Sequence, residues 1–122
     1  MEYACEVWDP YTQTLAAELE RVQRRALRFI YSHFRRHDQV TPLYTLANLR
    51  PLQCRRKQKI LILFYKIMNN MVHIDKQQYI SETTSRITRG KHCRHVKEQK
   101  FSKHCYKHSF FLSTAREWNR LP

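Results

Sequence analysis

The sequence predicts a mainly α-helical fold: a small bundle of three to four helices, followed by an irregular, basic C-terminal segment with room for a short β-hairpin. Three observations predict this class. Two long stretches repeat apolar residues at spacings of three and four, as one face of an α-helix does. Prolines stand where two of the helices are expected to begin. Beyond Asn70 the periodicity is lost, so we expect a helical region at residues 1–71 and a basic tail at residues 72–122.

Residues 1–12 hold large apolar side chains, among them Tyr3 and Trp8, ahead of the first long helix. Asp9-Pro10 predicts a turn, because the residue before a proline is pushed out of the helical region. Since a natural domain rarely begins on its own core residues, we expect these side chains to pack against a further part of a longer protein. We also expect Cys5 and Cys54 to be small core thiols.

The first long helix is predicted from about Thr12 or Thr14 to Phe34. An apolar stripe at helical spacing is expected to face the core, and its members are Leu15, Leu19, Val22, Ala26, Phe29 and Ile30. Four arginines repeat at i, i+3, i+4 and i+7 and fall roughly opposite that stripe: Arg21, Arg24, Arg25 and Arg28. Guanidinium groups bind phosphate oxygens in bidentate fashion. The pattern therefore predicts a helix that presents a phosphate-binding face, with an ordinary solvated basic face as the alternative.

Thr41-Pro42 predicts the start of a short second helix, with threonine as N-cap and proline at the first helical position. We expect this helix to end near Asn48.

Pro51 opens a third helix, which is expected to run to about Asn69 or Asn70. Its apolar residues cover so much of its circumference that we expect neighbours on two sides. Arg55 and Lys59 lie close together on the remaining face and form a second basic patch.

The tail combines charge with aromatic rings. The stretch from Arg86 to Lys107 holds eight basic residues and one acid, with Phe101 and Tyr106 between them. Such a composition binds a phosphate backbone while rings stack on bases, although a solvated basic loop has the same composition. Beyond it, the run Ser109–Phe111 suggests a short strand, and a capping box from Thr114 to Glu117 predicts the start of a last short helix.

Charge indicates the class of partner. The formal net charge is +13, from 23 Lys and Arg against 10 Asp and Glu. Such a field favours a polyanion, and nucleic acid is the commonest. A membrane fits less well, because no lipidation signal is present and the longest dense apolar run is far too short to span a bilayer. No secretory signal precedes the four widely spaced cysteines, so we expect reduced thiols and an intracellular protein, nuclear or cytoplasmic.

No catalytic centre is predicted, and no cofactor is expected. The aspartates Asp9, Asp38 and Asp75 are isolated along the sequence, and the single glycine excludes a glycine-rich phosphate loop. Cysteine and histidine in the tail raise the question of a zinc site, for which the candidate ligands are Cys93, His95, Cys105 and His108. The first pair is too closely spaced for a zinc knuckle and no CxxC pair supports either half, so we predict no metal site.

Several motifs follow one another along the chain in order and at sensible spacing. They comprise Glu2, Tyr3, Ala4, Val7, Trp8 and Pro10; Leu19, Glu20, Val22, Gln23, Arg24, Arg25 and Ala26; Val40-Thr41-Pro42, Leu46, Leu49, Pro51, Leu52, Arg55, Arg56 and Tyr65-Lys66; Thr88-Arg89-Gly90, Tyr106, Ser109–Phe111, Thr114, Arg116, Trp118-Asn119 and Leu121-Pro122. In these motifs the chain resembles the region downstream of the catalytic palm in reverse transcriptases of non-LTR (LINE-class, jockey-like) retrotransposons.

The resemblance implies a thumb and post-thumb region that grips a template–primer duplex of RNA, DNA or an RNA–DNA hybrid. The Tyr/Phe-x-Asp-Asp motif that binds the catalytic metal ions is absent, so the chain is expected not to be an enzyme by itself. Its partners would be nucleic acid and the remainder of the polymerase. The extra cysteines and histidines between Thr88 and Ser109 depart from the family pattern.

Two alternatives remain open at this point: a protein-interaction module that pairs through the apolar stripe of the first long helix, and a small zinc-dependent nucleic-acid binder. The residues expected to contact phosphate are Arg21, Arg24, Arg25, Arg28, Arg55 and Lys59, followed by Arg86, Arg89 and Lys91. Trp8, Phe110, Phe111 and Trp118 are expected to pack.

Overall fold

Helices dominate the described chain, as the sequence predicts. The computed structural model describes residues 2–35, 38–82 and 94–121. In these ranges no helix is both long enough and apolar enough to cross a membrane. The elements are α1 (Cys5–Trp8), α2 (Gln13–Ile30), α3 (Thr41–Leu46), α4 (Leu52–Met68), α5 (Lys76–Tyr79), β1 (Ser81–Glu82), β2 (Val96–Lys97), α6 (His104–Lys107) and α7 (Phe110–Asn119).

The three helices α2, α3 and α4 end in the same way. A residue in the left-handed conformation follows each cap: Ser32 (φ 55°), Asn48 (φ 50°) and Asn70 (φ 54°). The next backbone N–H then bonds a carbonyl of the last helical turn at 2.8–2.9 Å, which is the Schellman arrangement. A left-handed residue cannot continue the helix. This is why α2 ends at Ile30, four residues before the predicted Phe34.

The start of α3 also differs by one residue from the prediction. Thr41 is the first helical residue, with Pro42 second, and Val40 takes the N-cap position without a side-chain hydrogen bond. Proline fits equally well in either of the first two positions, because neither N–H has a partner within the helix.

The chain forms two compact units, residues 1–58 and residues 59–122. The division falls within α4 and not at the predicted boundary after residue 71. The physical reason is that the apolar end of α4 packs with described residues of the tail, namely Ile80, Val96, Ala115 and Trp118.

In the first unit the core is small and partly polar. Its buried apolar members are Cys5, Leu27, Leu43 and Leu52, and buried among the same elements are Gln23 and Arg56. Cys5 is a core thiol as expected, whereas Cys54 is exposed. The expectation for Cys54 is wrong because it lies on the face of α4 away from the buried Leu52 and Arg56.

α2 buries a different face from the one that its apolar periodicity predicts. Gln23 and Leu27 are its buried residues. The exposed members of the predicted stripe are Leu15, Val22, Ala26, Phe29 and Ile30, while Leu19 is half-buried. The expectation that the stripe faces the core of this chain is therefore wrong. The helix is instead anchored by hydrogen bonds that Glu20 and Gln23 accept from residues of α3 and α4.

In the second unit an apolar core forms around α4 and α7. Its buried members are Phe64, Ile67, Ile80, Val96, Ala115 and Trp118. The Trp118 ring lies 5.5 Å from the ring of Phe64, centroid to centroid, and its indole N–H donates to the Arg94 carbonyl at 2.9 Å. Trp118 thus packs as expected.

Two short strands complete the second unit. β1 and β2 pair antiparallel, with Ser81 opposite Lys97 and Glu82 opposite Val96. The side-chain amide of Asn119 both donates to the carbonyl and accepts from the N–H of Val96, each at 2.9 Å. The side chain at the end of α7 therefore fixes β2 by two hydrogen bonds.

α7 begins earlier than the sequence predicts. Ser109 is an extended N-cap residue (φ −63°, ψ 155°), so the run Ser109–Phe111 opens the helix and does not form a strand. Thr114, the predicted N-cap, lies inside the helix and is 1% exposed. Ala115 and Trp118, three residues apart, lie on its buried face, so the tertiary contacts of a helix outweigh the strand preference of two phenylalanines.

Candidate nucleic-acid interface

Three arginines of α2 form an exposed group on one side of the helix. Arg21, Arg24 and Arg25 are exposed, and among the described residues no carboxylate forms an ion pair with them. We call these three residues the arginine sector. Arg28, one turn further, is half-buried, and its guanidinium donates to the Asp38 carbonyl at 3.2 Å. Arg28, a predicted phosphate contact, therefore also has an intramolecular hydrogen bond.

The orientation of α2 is fixed by hydrogen bonds to Glu20, which lies one helical turn before Arg24. The carboxylate accepts a hydrogen bond from the Tyr44 hydroxyl and another from the backbone N–H of Leu52 at 3.0 Å. Burial and the hydrogen bond to Glu20 raise the pKa of Tyr44 above its ordinary value of 10.0. Leu52 is the first residue of α4, where a negative charge is also favoured by the helix dipole. One carboxylate thus connects α2, α3 and α4.

Arg55 is engaged inside the first unit. Its guanidinium forms an ion pair with Glu2 and donates a hydrogen bond to the Gln23 side-chain carbonyl. Its side chain is 27% exposed. Arg55, a predicted phosphate contact, thus has intramolecular partners.

Arg56, which the sequence analysis names in a motif but to which it gives no role, is buried. It is 1% exposed, its Nε lies 2.8 Å from a carboxylate oxygen of Asp9, and its guanidinium lies 5.9 Å from the ring centroid of Trp8. Burial raises the pKa of Asp9 above its ordinary value of 3.8, and the charges of Arg56 and Lys57 act against that rise. The arginine thus binds the N-terminal segment to α4. The only signal in the sequence was an acid and an indole standing side by side at Trp8-Asp9.

In the second unit the basic side chains are more dispersed. Lys59 is exposed on α4, and Lys97, Lys100 and Lys103 are exposed on the tail. The predicted contacts Arg86, Arg89 and Lys91 lie outside the described residues.

The aromatic ring of Phe101 is partly covered. The Arg116 guanidinium lies 5.2 Å from its centroid and 3.6 Å from the Glu98 carboxylate. Phe101 is nevertheless 39% exposed, and Tyr106 is 45% exposed.

No metal site is assembled by the part of the chain that the structure describes, where no three side chains of His, Cys, Asp or Glu come together. His95, Cys105 and His108 belong to that part, and Cys93 lies outside it. Comparisons of the chain with protein-family models, with curated proteins and with solved structures find no match.

Proposed function

We propose that this chain binds template–primer nucleic acid through its phosphate backbone, as the non-catalytic C-terminal part of a retrotransposon reverse transcriptase. The observation that carries the proposal is the arginine sector. Its three guanidinium groups are exposed on an 18-residue helix, and hydrogen bonds to Glu20 and Gln23 hold that helix against α3 and α4. Exposed guanidinium groups on a helix held in this way suit oxygens of neighbouring phosphates.

The length of the basic face supports this ligand. From Arg21 to Arg25 an α-helix advances about 6 Å at 1.5 Å per residue. Successive phosphates of one strand are about 3.4 Å apart along a duplex axis, so this length corresponds to roughly two phosphate spacings, or three phosphates. Contacts of this kind fix the position of a duplex without reading its sequence.

The proposal assigns the chemistry to another part of the polymerase. The paired aspartates of a metal-dependent polymerase motif are absent from this sequence, so the chain would grip the duplex while the remainder of the reverse transcriptase copies it. Such a protein would act inside the cell, in the nucleus or the cytoplasm.

The test is binding of the purified chain to an RNA–DNA hybrid duplex across a salt series, beside the variant Arg21→Ala/Arg24→Ala/Arg25→Ala. Each phosphate contact contributes about −0.9 to the slope of log K against log salt, so the variant should lose about 2.7 of that slope. Between 50 and 200 mM salt, the affinity of the variant should fall about 40-fold less than that of the wild type.

A matched control separates the arginine sector from total charge. Lys97→Ala/Lys100→Ala/Lys103→Ala removes the same three charges, and both variants carry 13 − 3 = +10. We expect the control to lose less than half of the slope change seen in the arginine variant. Equal losses in the two variants, or no binding by the folded wild type at low salt, would refute the proposed role of α2.

A further inference from the structure

An apolar surface on α2 is left exposed by the fold. Five residues recur along it at alternating spacings of four and three: Leu15, Leu19, Val22, Ala26 and Phe29. We call them the apolar seam. Leu15, Val22 and Phe29 are 52%, 50% and 74% exposed, and only Leu19 is half-buried. Apolar residues in this heptad pattern are typical of a helix that pairs with another helix.

The seam has charged residues along one border only. Glu18 and Arg25, both exposed, lie seven residues apart on this border, and Arg25 is also a member of the arginine sector. At about 100° per residue they project from nearly the same angle of the helix. The other border carries Gln23, which is buried. A partner that binds the seam must therefore present a base opposite Glu18 and an acid opposite Arg25. These two residues are about 10 Å apart along the helix axis.

We propose that the seam binds the same seam of a second copy of this chain, with the two α2 helices antiparallel. A two-fold axis beside the helix then places Leu19 against Val22 of the second copy, and Leu15 against its Ala26. The same operation brings Glu18 next to Arg25 of the second copy, and Arg25 next to its Glu18.

This charge arrangement selects both the occupant and the direction. In an antiparallel pair the border positions Glu18 and Arg25 face their counterparts in reverse order, so both contacts join opposite charges. In a parallel pair each of these residues faces the opposite border of the partner, where Gln23 and Ile30 stand and no charge is available. The seam therefore complements itself only when the helices run in opposite directions.

The size of the seam sets the strength of the pairing. An 18-residue helix is about 27 Å long, and a single helix pair of this length buries less than the roughly 1,200 Å² at which stable interfaces begin. One of the seam residues is an alanine, which contributes little apolar area. We therefore expect a reversible dimer with a dissociation constant on the order of 10–100 µM.

The test is sedimentation equilibrium of the full chain over a concentration range that brackets this value, after nuclease treatment and removal of the released nucleotides. The salt concentration is kept at about 0.1 M, because high salt would screen the contacts between Glu18 and Arg25. Glu18→Arg and Arg25→Glu each place like charges together twice, and each should raise the dissociation constant at least tenfold. The exchange Glu18→Arg/Arg25→Glu restores opposite charges at unchanged net charge of +13 and should restore the dimer.

A second pair of variants tests the apolar part of the surface. Val22→Ser should weaken the dimer at least tenfold, whereas Ile62→Ser, at a residue of α4 that is 48% exposed, should leave it unchanged. Val22→Ser should also keep the salt-dependent binding of nucleic acid, because Val22 is outside the arginine sector. Failure of dimerisation and failure of nucleic-acid binding are thus observed separately.

Two results would overturn the proposal. The first is a chain that stays monomeric at several hundred micromolar, whether or not a different protein occupies the seam. The second is a dimer that the charge exchange fails to rescue while circular dichroism shows every variant folded.

Discussion

Replacing Glu20 by alanine should destabilise the first unit far more than a surface substitution does. The carboxylate accepts from the Tyr44 hydroxyl and from the N–H of Leu52, and hydrogen bonds to a charged group contribute about 1.5–3 kcal/mol each. Both groups are partly buried in the intact chain, and water would regain part of the loss. We expect the free energy of unfolding to fall by about 2–4 kcal/mol.

The assay is urea denaturation followed by far-ultraviolet circular dichroism. With a slope of about 2 kcal/mol per molar urea, the midpoint should move down by about 1–2 M. Glu18→Ala, measured in dilute monomer, is the matched control, because it makes the same change on the exposed face of the same helix. It changes helix propensity by the same amount, and its effect should stay within about 0.5 kcal/mol.

A double-mutant cycle identifies the contact responsible. Tyr44→Phe removes the hydroxyl alone, and combined with Glu20→Ala it should reveal a coupling free energy of about 1–2 kcal/mol. If Glu20→Ala and Glu18→Ala shift the midpoint equally, Glu20 does not hold α2 against α3 and α4. The orientation of the arginine sector would then need another cause.

Three further substitutions follow from the burial of single side chains. Leu27→Ala should lower the free energy of unfolding by about 2–5 kcal/mol, whereas Phe29→Ala should lower it by less than about 0.5 kcal/mol in dilute monomer. Both are measured by urea denaturation. If Phe29→Ala cost more than Leu27→Ala, the face predicted from periodicity would be the buried face of α2. Burial raises the pKa of Asp9, so its folded state binds a proton more tightly than the unfolded state does, and this contribution is present at acidic pH and lost as the pH rises through the raised pKa. The free energy of unfolding of the wild type minus that of Asp9→Asn, measured from pH 3 to 7, should therefore fall with rising pH, and a rise would contradict this sign. Trp118→Phe loses the indole hydrogen bond to the Arg94 carbonyl as well as packing area and should cost about 1–3 kcal/mol, measured by urea denaturation; an unchanged midpoint would show that this bond is dispensable.

Periodicity and turn chemistry were sufficient to locate the long helices. The ends of α3 and α4 were predicted to within about two residues, because asparagine tolerates the left-handed conformation that follows a helix. Ser32 gives no such signal, and the predicted end of α2 was correspondingly too late. Periodicity also groups residues on a face without saying which face is covered.

The anchoring of α2 depends on contacts that no local pattern reveals. Glu20 and Gln23 bond to Tyr44, Leu52 and Arg55, which lie 24 to 32 positions further along the chain. The sequence identified the basic residues of α2 as a group, and the structure shows that Arg21, Arg24 and Arg25 are exposed together. It could not show that Arg55, equally basic, is paired with Glu2.

The amide of Asn119 has a consequence for how this chain meets its own copies. In an antiparallel ladder both backbone groups of one residue point to the same side, so the groups of Val96 that Asn119 bonds point away from β1. They would otherwise be an open strand edge, at which another extended chain can add by hydrogen bonding. The Asn119 side chain occupies the backbone N–H and carbonyl of Val96 in every molecule. A strand from another copy therefore cannot pair with β2 at Val96.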